Sequence, residues 1–422
     1  MKKHLLSILI VCFHINLSAQ KNNSLLSLTE CYVLAKENYP LSKKRDLLTK
    51  SSNFTIENIS KGYWPRLDLS GQATYQSEVT KIPVNVPGIN IPELNKDQYK
   101  VYGEINQLLY DGGILKQQKD KVKTQLKVQN QQLEVELYQV KQRVTDLYFS
   151  VLIFNEQLRQ NELLKNDIRI GIKTVEAQLE NGTAYRSSAD LLKAEYLKAE
   201  QQAINIRNYK KASLEMLGYF INREIDSKTT LKIPAPLSTN VKAINRPELD
   251  VFTFRKESLE LDKKTILAGN RPKFNFFLQG GIGNPALNFL KDAFEPYYIS
   301  GLRLSWSLTS FYTSKKQQQI VEIKKKELEA DQETFLFNTN LSIKQQDAEI
   351  AKLEEYLATD TEIITLRNNV KKAALAQLKN GVISPADYLR EVNEENQAIQ
   401  NKILHTTELL LAKYKQKLIT GN

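Results

Sequence analysis

The sequence predicts a mainly α-helical chain with a small β part, built as an internal duplication of long helical hairpins with four strands. Three observations carry that expectation. Leu133, Leu137, Val140, Val144, Leu147, Val151, Phe154 and Leu158 are spaced 4, 3, 4, 3, 4, 3, 4, the seven-residue period of a helix that keeps one seam on a partner while supercoiling left-handedly. Leu336, Ile343, Ile350, Leu357 and Ile364 fall on the same period in a second stretch. Finally, the punctuation recurs: Gly62 and Gly269 lie 207 residues apart, and Gly182 and Gly381 lie 199 apart. In a repeat of this size each half presents surfaces that its twin or a neighbour must cover.

The first stretch of the chain predicts an export signal over residues 1–19. Lys2 and Lys3 precede an apolar run at 5–17, and Leu17-Ser18-Ala19 offers a small-residue cleavage site. The run is too short to span a bilayer, and Cys12 sits inside it rather than after small residues, so no lipid anchor is expected. The remainder divides into a first repeat at 20–219, a linker at 220–245 and a second repeat at 246–422.

Ser27-Leu28-Thr29-Glu30 reads as a capping box. It opens a helix that is interrupted near Asn38-Tyr39-Pro40 and stopped by Gly62. A hairpin is expected at about 64–109. Leu67, Leu69, Gly71, Ala73 and Tyr75 alternate with Asp68, Ser70, Gln72, Thr74 and Gln76. After a polar, proline-rich loop at about 80–96, Val101, Gly103 and Ile105 alternate with Tyr102, Glu104 and Asn106. The first long helix, 111–181, has no proline; at about 1.5 Å per residue, seventy helical residues measure on the order of 100 Å. It stops at Asn181-Gly182, a left-handed helix end, and a return helix at 187–219 follows.

The second repeat restarts with Asn245-Arg246-Pro247, a proline in the first turn of a helix that ends at Gly269. Its hairpin at about 272–308 puts Phe274, Phe276 and Leu278 on one face of the first strand. The second strand puts Leu302, Leu304, Trp306 and Leu308 on one face and Arg303, Ser305 and Ser307 on the other. The second long helix, 311–380, stops at Asn380-Gly381, and the return helix covers 385–418.

Composition narrows the chemistry. Beyond residue 19 only His405 and Cys31 remain of their types, too few for a metal cluster, a disulfide or a histidine-based triad. No cofactor, metal site or enzymatic activity is expected. The net charge of +11 falls to +9 without Lys2 and Lys3, and lysines interleaved with glutamates along helices describe a solvated face rather than a nucleic-acid footprint.

Each hairpin has one apolar and one polar face, with aromatics near the strand ends. One reading is a small sheet packed on a helical domain. The other is a transmembrane barrel wall whose apolar band faces lipid: Leu67, Leu69, Phe274, Phe276, Leu302, Leu304 and Trp306. Four strands cannot close a barrel, and open edges in lipid leave backbone groups unpaired at several kcal/mol each, so that reading needs several chains; three would give twelve strands. The helices, rich in Gln, Lys and Glu outside narrow seams, fit either a ring around a wet lumen or a coiled-coil tether without one.

These features resemble the TolC-like outer-membrane efflux protein family across essentially the whole chain after the signal. The motifs are Gly62-Tyr63-Trp64-Pro65-Arg66-Leu67, Tyr110-Asp111-Gly112-Gly113 and Arg246-Pro247-Glu248-Leu249, with Asn181-Gly182 before Asp190-Leu191-Leu192 and Asn380-Gly381 before Asp387-Tyr388-Leu389. The resemblance implies a homotrimer in the outer membrane of a Gram-negative bacterium, with a shared twelve-stranded β-barrel and a trimeric α-barrel tunnel extending into the periplasm. It implies a passive exit duct for a tripartite efflux or type I secretion system, partnered by a periplasmic adaptor protein, an inner-membrane pump and outer-membrane lipid. Asn181, Gly182, Asp190, Asn380 and Gly381 would mark the periplasmic tip turns and adaptor contact. The gate is expected at the second turn, where Asp387 matches the family's first pore acid and Arg390 replaces the second, with Glu391 and Glu394 deeper on about the same face. An exposed helix laced with ion pairs accounts for the same four residues.

Two departures accompany the match. Leu308-Thr309-Ser310-Phe311 lacks the Asp-Gly-Gly of the first helix entry, and the first turn has two more residues between its glycine and its aspartate. The alternative function is an exported coiled-coil structural or interaction protein without a channel.

Overall fold

The computed structural model describes residues 25–80, 95–226, 229–237 and 243–422. The expected signal at 1–19 and most of the expected loop at 80–96 lie outside them. Along the chain run α1 (Leu28–Asn38), α2 (Lys44–Ser60), β1 (Arg66–Tyr75), β2 (Asp97–Tyr110), α3 (Ile114–Glu180), α4 (Arg186–Ile221), α5 (Pro247–Gly269), β3 (Lys273–Asn284), β4 (Glu295–Ser305), α6 (Ser310–Lys379) and α7 (Pro385–Thr420). The chain is mainly α, and hairpin, long helix and return helix recur in its two halves, preceded by two helices in the first and by one in the second. The described residues cluster into two compact units, one within Met1–Ala35, Val144–Pro236 and Tyr356–Leu411, the other within Lys36–Arg143, Leu237–Glu355 and Ala412–Asn422.

In the second of these units the four strands form one antiparallel sheet in the order β1-β2-β3-β4. The β2–β3 pairing joins the two hairpins, with Gly103 opposite Gly280 and Ile105 opposite Leu278. β1 and β4 are left as edges. The entry to α3 explains the Asp-Gly-Gly motif. Asp111 accepts hydrogen bonds from the amides of Gly113 (2.7 Å) and Leu115 (2.6 Å), capping the helix. Gly112 holds φ +77°, and a Cβ there would lie 2.8 Å from the Ala268 carbonyl oxygen. The entry to α6 is built otherwise: the Trp306 indole donates to the Asn270 carbonyl (2.9 Å), and the Asn270 amide donates to Ser314 Oγ (2.8 Å). Arg246 binds Glu248 and donates to the Leu418 carbonyl at 3.2 Å, holding the last turn of α7 to the start of α5.

One expectation is corrected here. Gly62 is not the residue that stops α2, which ends at Ser60 and passes through a tight 3₁₀ turn, Lys61–Tyr63, without a left-handed residue; α5 ends at Gly269 as expected, with Asn270 capping it in right-handed geometry. Gly62 is small for a different reason, since a Cβ would meet Leu115 at 2.9 Å.

In the other unit, Ser27 caps α1 through the Glu30 amide (3.2 Å). Tyr148, fully buried, places its hydroxyl 2.8 Å from the Leu26 carbonyl oxygen and 2.5 Å from that of Lys232. Cys31 is buried, and burial, with Glu30 adding to it, pushes its thiol up to about 12, so it stays protonated and unreactive. His405 Nδ1 lies 2.8 Å from the Asp360 carboxylate, with the Tyr356 ring against it.

Candidate functional site

Two features are built for function: the faces of the sheet and the turns that close the long hairpins. In the sheet, Leu67 opposes Ile105, Phe276 opposes Leu302 and Phe274 opposes Leu304, so the six apolar strand residues expected on one face share it. That face is bare, with Leu69 83% and Leu302 73% exposed. Asp68, Ser70, Glu104, Asn106, Asn275 and Gln279 lie on the other face and are half-buried. There Arg303 pairs with Glu104 (3.6 Å) and lies over the Phe277 ring (4.6 Å). A sheet packed against a helical core in water hides its apolar face; this one shelters its polar face instead. Trp306 follows β4 and is half exposed.

The two hairpin turns share one design. The amides of Gly182 and Thr183 bond back to Leu179 and Gln178, and those of Gly381 and Val382 to Leu378 and Gln377, the double closure of a Schellman motif. The glycines supply φ +72° and +70°. The Asn181 and Asn380 side-chain amides each donate to a carbonyl one turn back, Ala177 and Ala376, at 2.8 Å. Each return helix begins four residues after its glycine. The first turn is therefore no longer than the second, which corrects the sequence alignment: the counterpart of Asp387 is Ser188, while Asp190 is exposed further into α4.

Beneath the turns, Leu164, Ile168, Val175, Leu192, Leu378, Tyr388 and Val392 form an apolar core. The Tyr388 hydroxyl donates to the Asp167 carbonyl (3.1 Å). Gly171, the one glycine within α3, makes room for this ring: a Cβ there would lie 2.8 Å from it.

Residues 50–220 match the sequence model for outer membrane efflux protein. The resemblance carried by the motifs is borne out, and comparison with solved structures extends the fold over 92–93% of the chain. The structure of the outer-membrane channel OprN is 11% identical, with a TM-score of 0.69 over 93% of this chain and 89% of its own. The outer membrane protein VceC of Vibrio cholerae is 12% identical, with a TM-score of 0.66 over 92% and 95%. CusC, described with transmembrane channel formation, is 11% identical, with a TM-score of 0.68 over 93% and 91%. A comparison with curated proteins finds no match. No helix among the described residues is long and apolar enough to cross a membrane.

The four expected gate residues lie together on the first turns of α7, and each has a partner. Ser384 and Asp387 form a reciprocal capping box: Ser384 Oγ donates to Asp387 Oδ2 (2.7 Å), and the Asp387 amide donates to Ser384 Oγ (3.1 Å). The Ser384 hydroxyl, then its amide and the Arg390 charge, hold the Asp387 carboxyl below its ordinary range. Arg390 lies 3.5 Å from Asp387 and 3.1 Å from Glu391. Sequence reasoning missed Arg367 on α6, which lies 3.7 Å from Glu391 and 2.9 Å from Glu394. Glu391 and Glu394, the deeper acids, are thus paired with cations of the same chain. It also missed Lys371, which bonds Asp167 (2.9 Å) and Glu395 (2.6 Å). No sequence spacing marks these pairings, because the partners sit on different helices.

Proposed function

We propose that this chain is a passive outer-membrane exit duct, three copies closing one twelve-stranded barrel and one helical tunnel, fed by an inner-membrane pump through a periplasmic adaptor. The observation that carries the reading is the inverted sheet, bare on its apolar face and sheltered on its polar one, with two open edges. Lipid satisfies the face, and only neighbouring strands satisfy the edges. Large apolar side chains left exposed on the helices, such as Leu197, Ile204 and Tyr209 on α4 and Phe337, Leu341 and Leu366 on α6, agree with further cover from neighbouring copies. The deciding experiment is purification from membranes with mass measured in detergent. The expected species is a trimer that precipitates without detergent; a folded monomer in plain buffer would instead identify an exported coiled-coil protein.

Within this reading the turns bearing Asn181, Gly182, Asn380 and Gly381, with Asp190 in the first turns of α4, meet the adaptor, and Asp387, Arg390, Glu391 and Glu394 form the gate. Arg367 joins them, because it neutralises two of the four. Arg367→Ala is expected to unpair Glu394, to leave Glu391 with Arg390 alone, and to raise cation selectivity and divalent-cation block of single channels in planar bilayers. Arg390→Asp acts in the same direction through Asp387 and Glu391. Unchanged selectivity in both variants, with trimers intact, places the gate elsewhere.

A further inference from the structure

The two ends of the sheet differ in charge. All four strand-to-helix junctions lie at one end, because Arg66 opposes Asn106, Tyr110 opposes Phe274 and Lys273 opposes Ser305. The segments there (60–66, 110–119, 268–273 and 306–316) carry eight lysines and arginines and a single acid, Asp111, whose carboxylate is occupied as the α3 cap. Arg66 pairs with Asp68, and Arg271 donates to the Gly112 carbonyl. Lys61, Lys116, Lys119, Lys273, Lys315 and Lys316 have no acidic partner among the described residues, and all but half-buried Lys119 are exposed. At the opposite end the described residues reverse the balance: Lys96 and Lys291 stand with Glu78, Asp97, Asp292 and Glu295.

Aromatic side chains accompany the cations. Trp64, Trp306 and Tyr312 are 66%, 51% and 83% exposed. The Lys61 ammonium lies over the Trp64 ring at 5.9 Å and that of Lys119 over Tyr63 at 5.7 Å. Amphipathic aromatic rings settle at the level of lipid headgroups, and lysines close to an anionic leaflet are attracted to it. The cations are spread along four chain segments and do not converge on a pocket, which suits a layer of headgroups rather than one small anion.

We propose that this junction is a binding collar for anionic glycerophospholipid headgroups in the leaflet at the helical end of the barrel. The proposal rests on the barrel reading, and its test separates the two. Full-length protein is reconstituted in nanodiscs holding equal amounts of phosphatidylglycerol and phosphatidylcholine, then transferred to detergent for native mass spectrometry of retained lipid. Phosphatidylglycerol is expected to be enriched about fivefold or more, the effect of roughly one basic residue near an anionic surface, and high salt should reduce the enrichment. Combined Lys61→Gln, Lys116→Gln, Lys119→Gln, Lys315→Gln and Lys316→Gln should bring retention of the two lipids to within about twofold, while Lys96→Gln with Lys291→Gln should leave it unchanged. Should the fivefold variant not assemble, Lys315→Gln with Lys316→Gln must still lower the enrichment at least about twofold. Equal retention by an intact wild-type trimer, an unchanged preference in the collar variants, or loss of the preference to inorganic phosphate at low concentration overturns the collar and leaves the channel reading standing. A detergent-independent monomer overturns both.

Discussion

Leu69→Arg should destabilise the membrane-inserted protein by roughly 2–4 kcal/mol per chain, the cost of an arginine on the lipid face of a barrel near mid-bilayer. The neighbouring Ser70→Arg should cost clearly less, because Ser70 is half-buried on the polar face and meets no lipid there. These adjacent residues make a matched pair: Leu69 is 83% exposed on the apolar face, and Ser70 lies opposite Tyr102 on the polar face. Leu302→Arg should behave like Leu69→Arg, since Leu302 shares its face through Phe276. Guanidinium unfolding of protein folded into vesicles measures all three. Equal losses at Leu69 and Ser70 would reject the assignment of lipid to one face.

The parts legible in sequence are those whose signal is local. Period two placed the six apolar strand residues on one face because alternation follows from the pleat itself. The heptad in α3 is filled by large side chains, and Leu133, Leu137, Val140, Val144 and Val151 are buried within a single chain. The heptad in α6 is legible too, yet Leu336, Ile343, Leu357 and Ile364 stay half-buried around Ile350. A third seam, on α4, escaped notice: Leu192, Ala199, Ile206 and Ser213 are buried at seven-residue spacing, but alanine and serine carry little hydrophobic signal. The first turn was misaligned for a related reason. α4 starts at Arg186, and Tyr185 before it supplies no side-chain cap, so the sequence offers Asp190 as the landmark. Ser384 and Asp387, by contrast, spell a capping box that is legible in the sequence. Gly171 could be noticed but not explained, because the ring it accommodates is Tyr388, more than 200 residues away.

Lys371→Met should be the most damaging change near the hairpin turns, with a loss of about 2–4 kcal/mol in guanidinium or thermal unfolding of the detergent-solubilised protein. Lys371 joins three helices, bonding Asp167 of α3 and Glu395 of α7 from its place on α6. The side chains of Lys371 and Glu395 are 17% and 8% exposed, so removing the cation leaves Glu395 charged and largely shut from water. Breaking a fully buried pair in this way costs about 3–5 kcal/mol; the 25% exposure of Asp167 lets water recover part of that. Burial alone would lower the lysine's proton affinity, but hydrogen bonds to Glu395 and then Asp167 outweigh it, and Lys371 is raised above its ordinary value. A lysine raised on folding holds its proton more tightly in the native state. Its contribution is therefore complete below the ordinary lysine range and disappears as pH rises through the raised value. The wild type should lose stability on alkaline titration in a step that Lys371→Met lacks, and Glu395→Gln should shrink that step while keeping part of the Asp167 bond. A Lys371→Met protein within about 0.5 kcal/mol of wild type, with the same alkaline profile, would show that the three helices are held by the apolar core around Tyr388 alone.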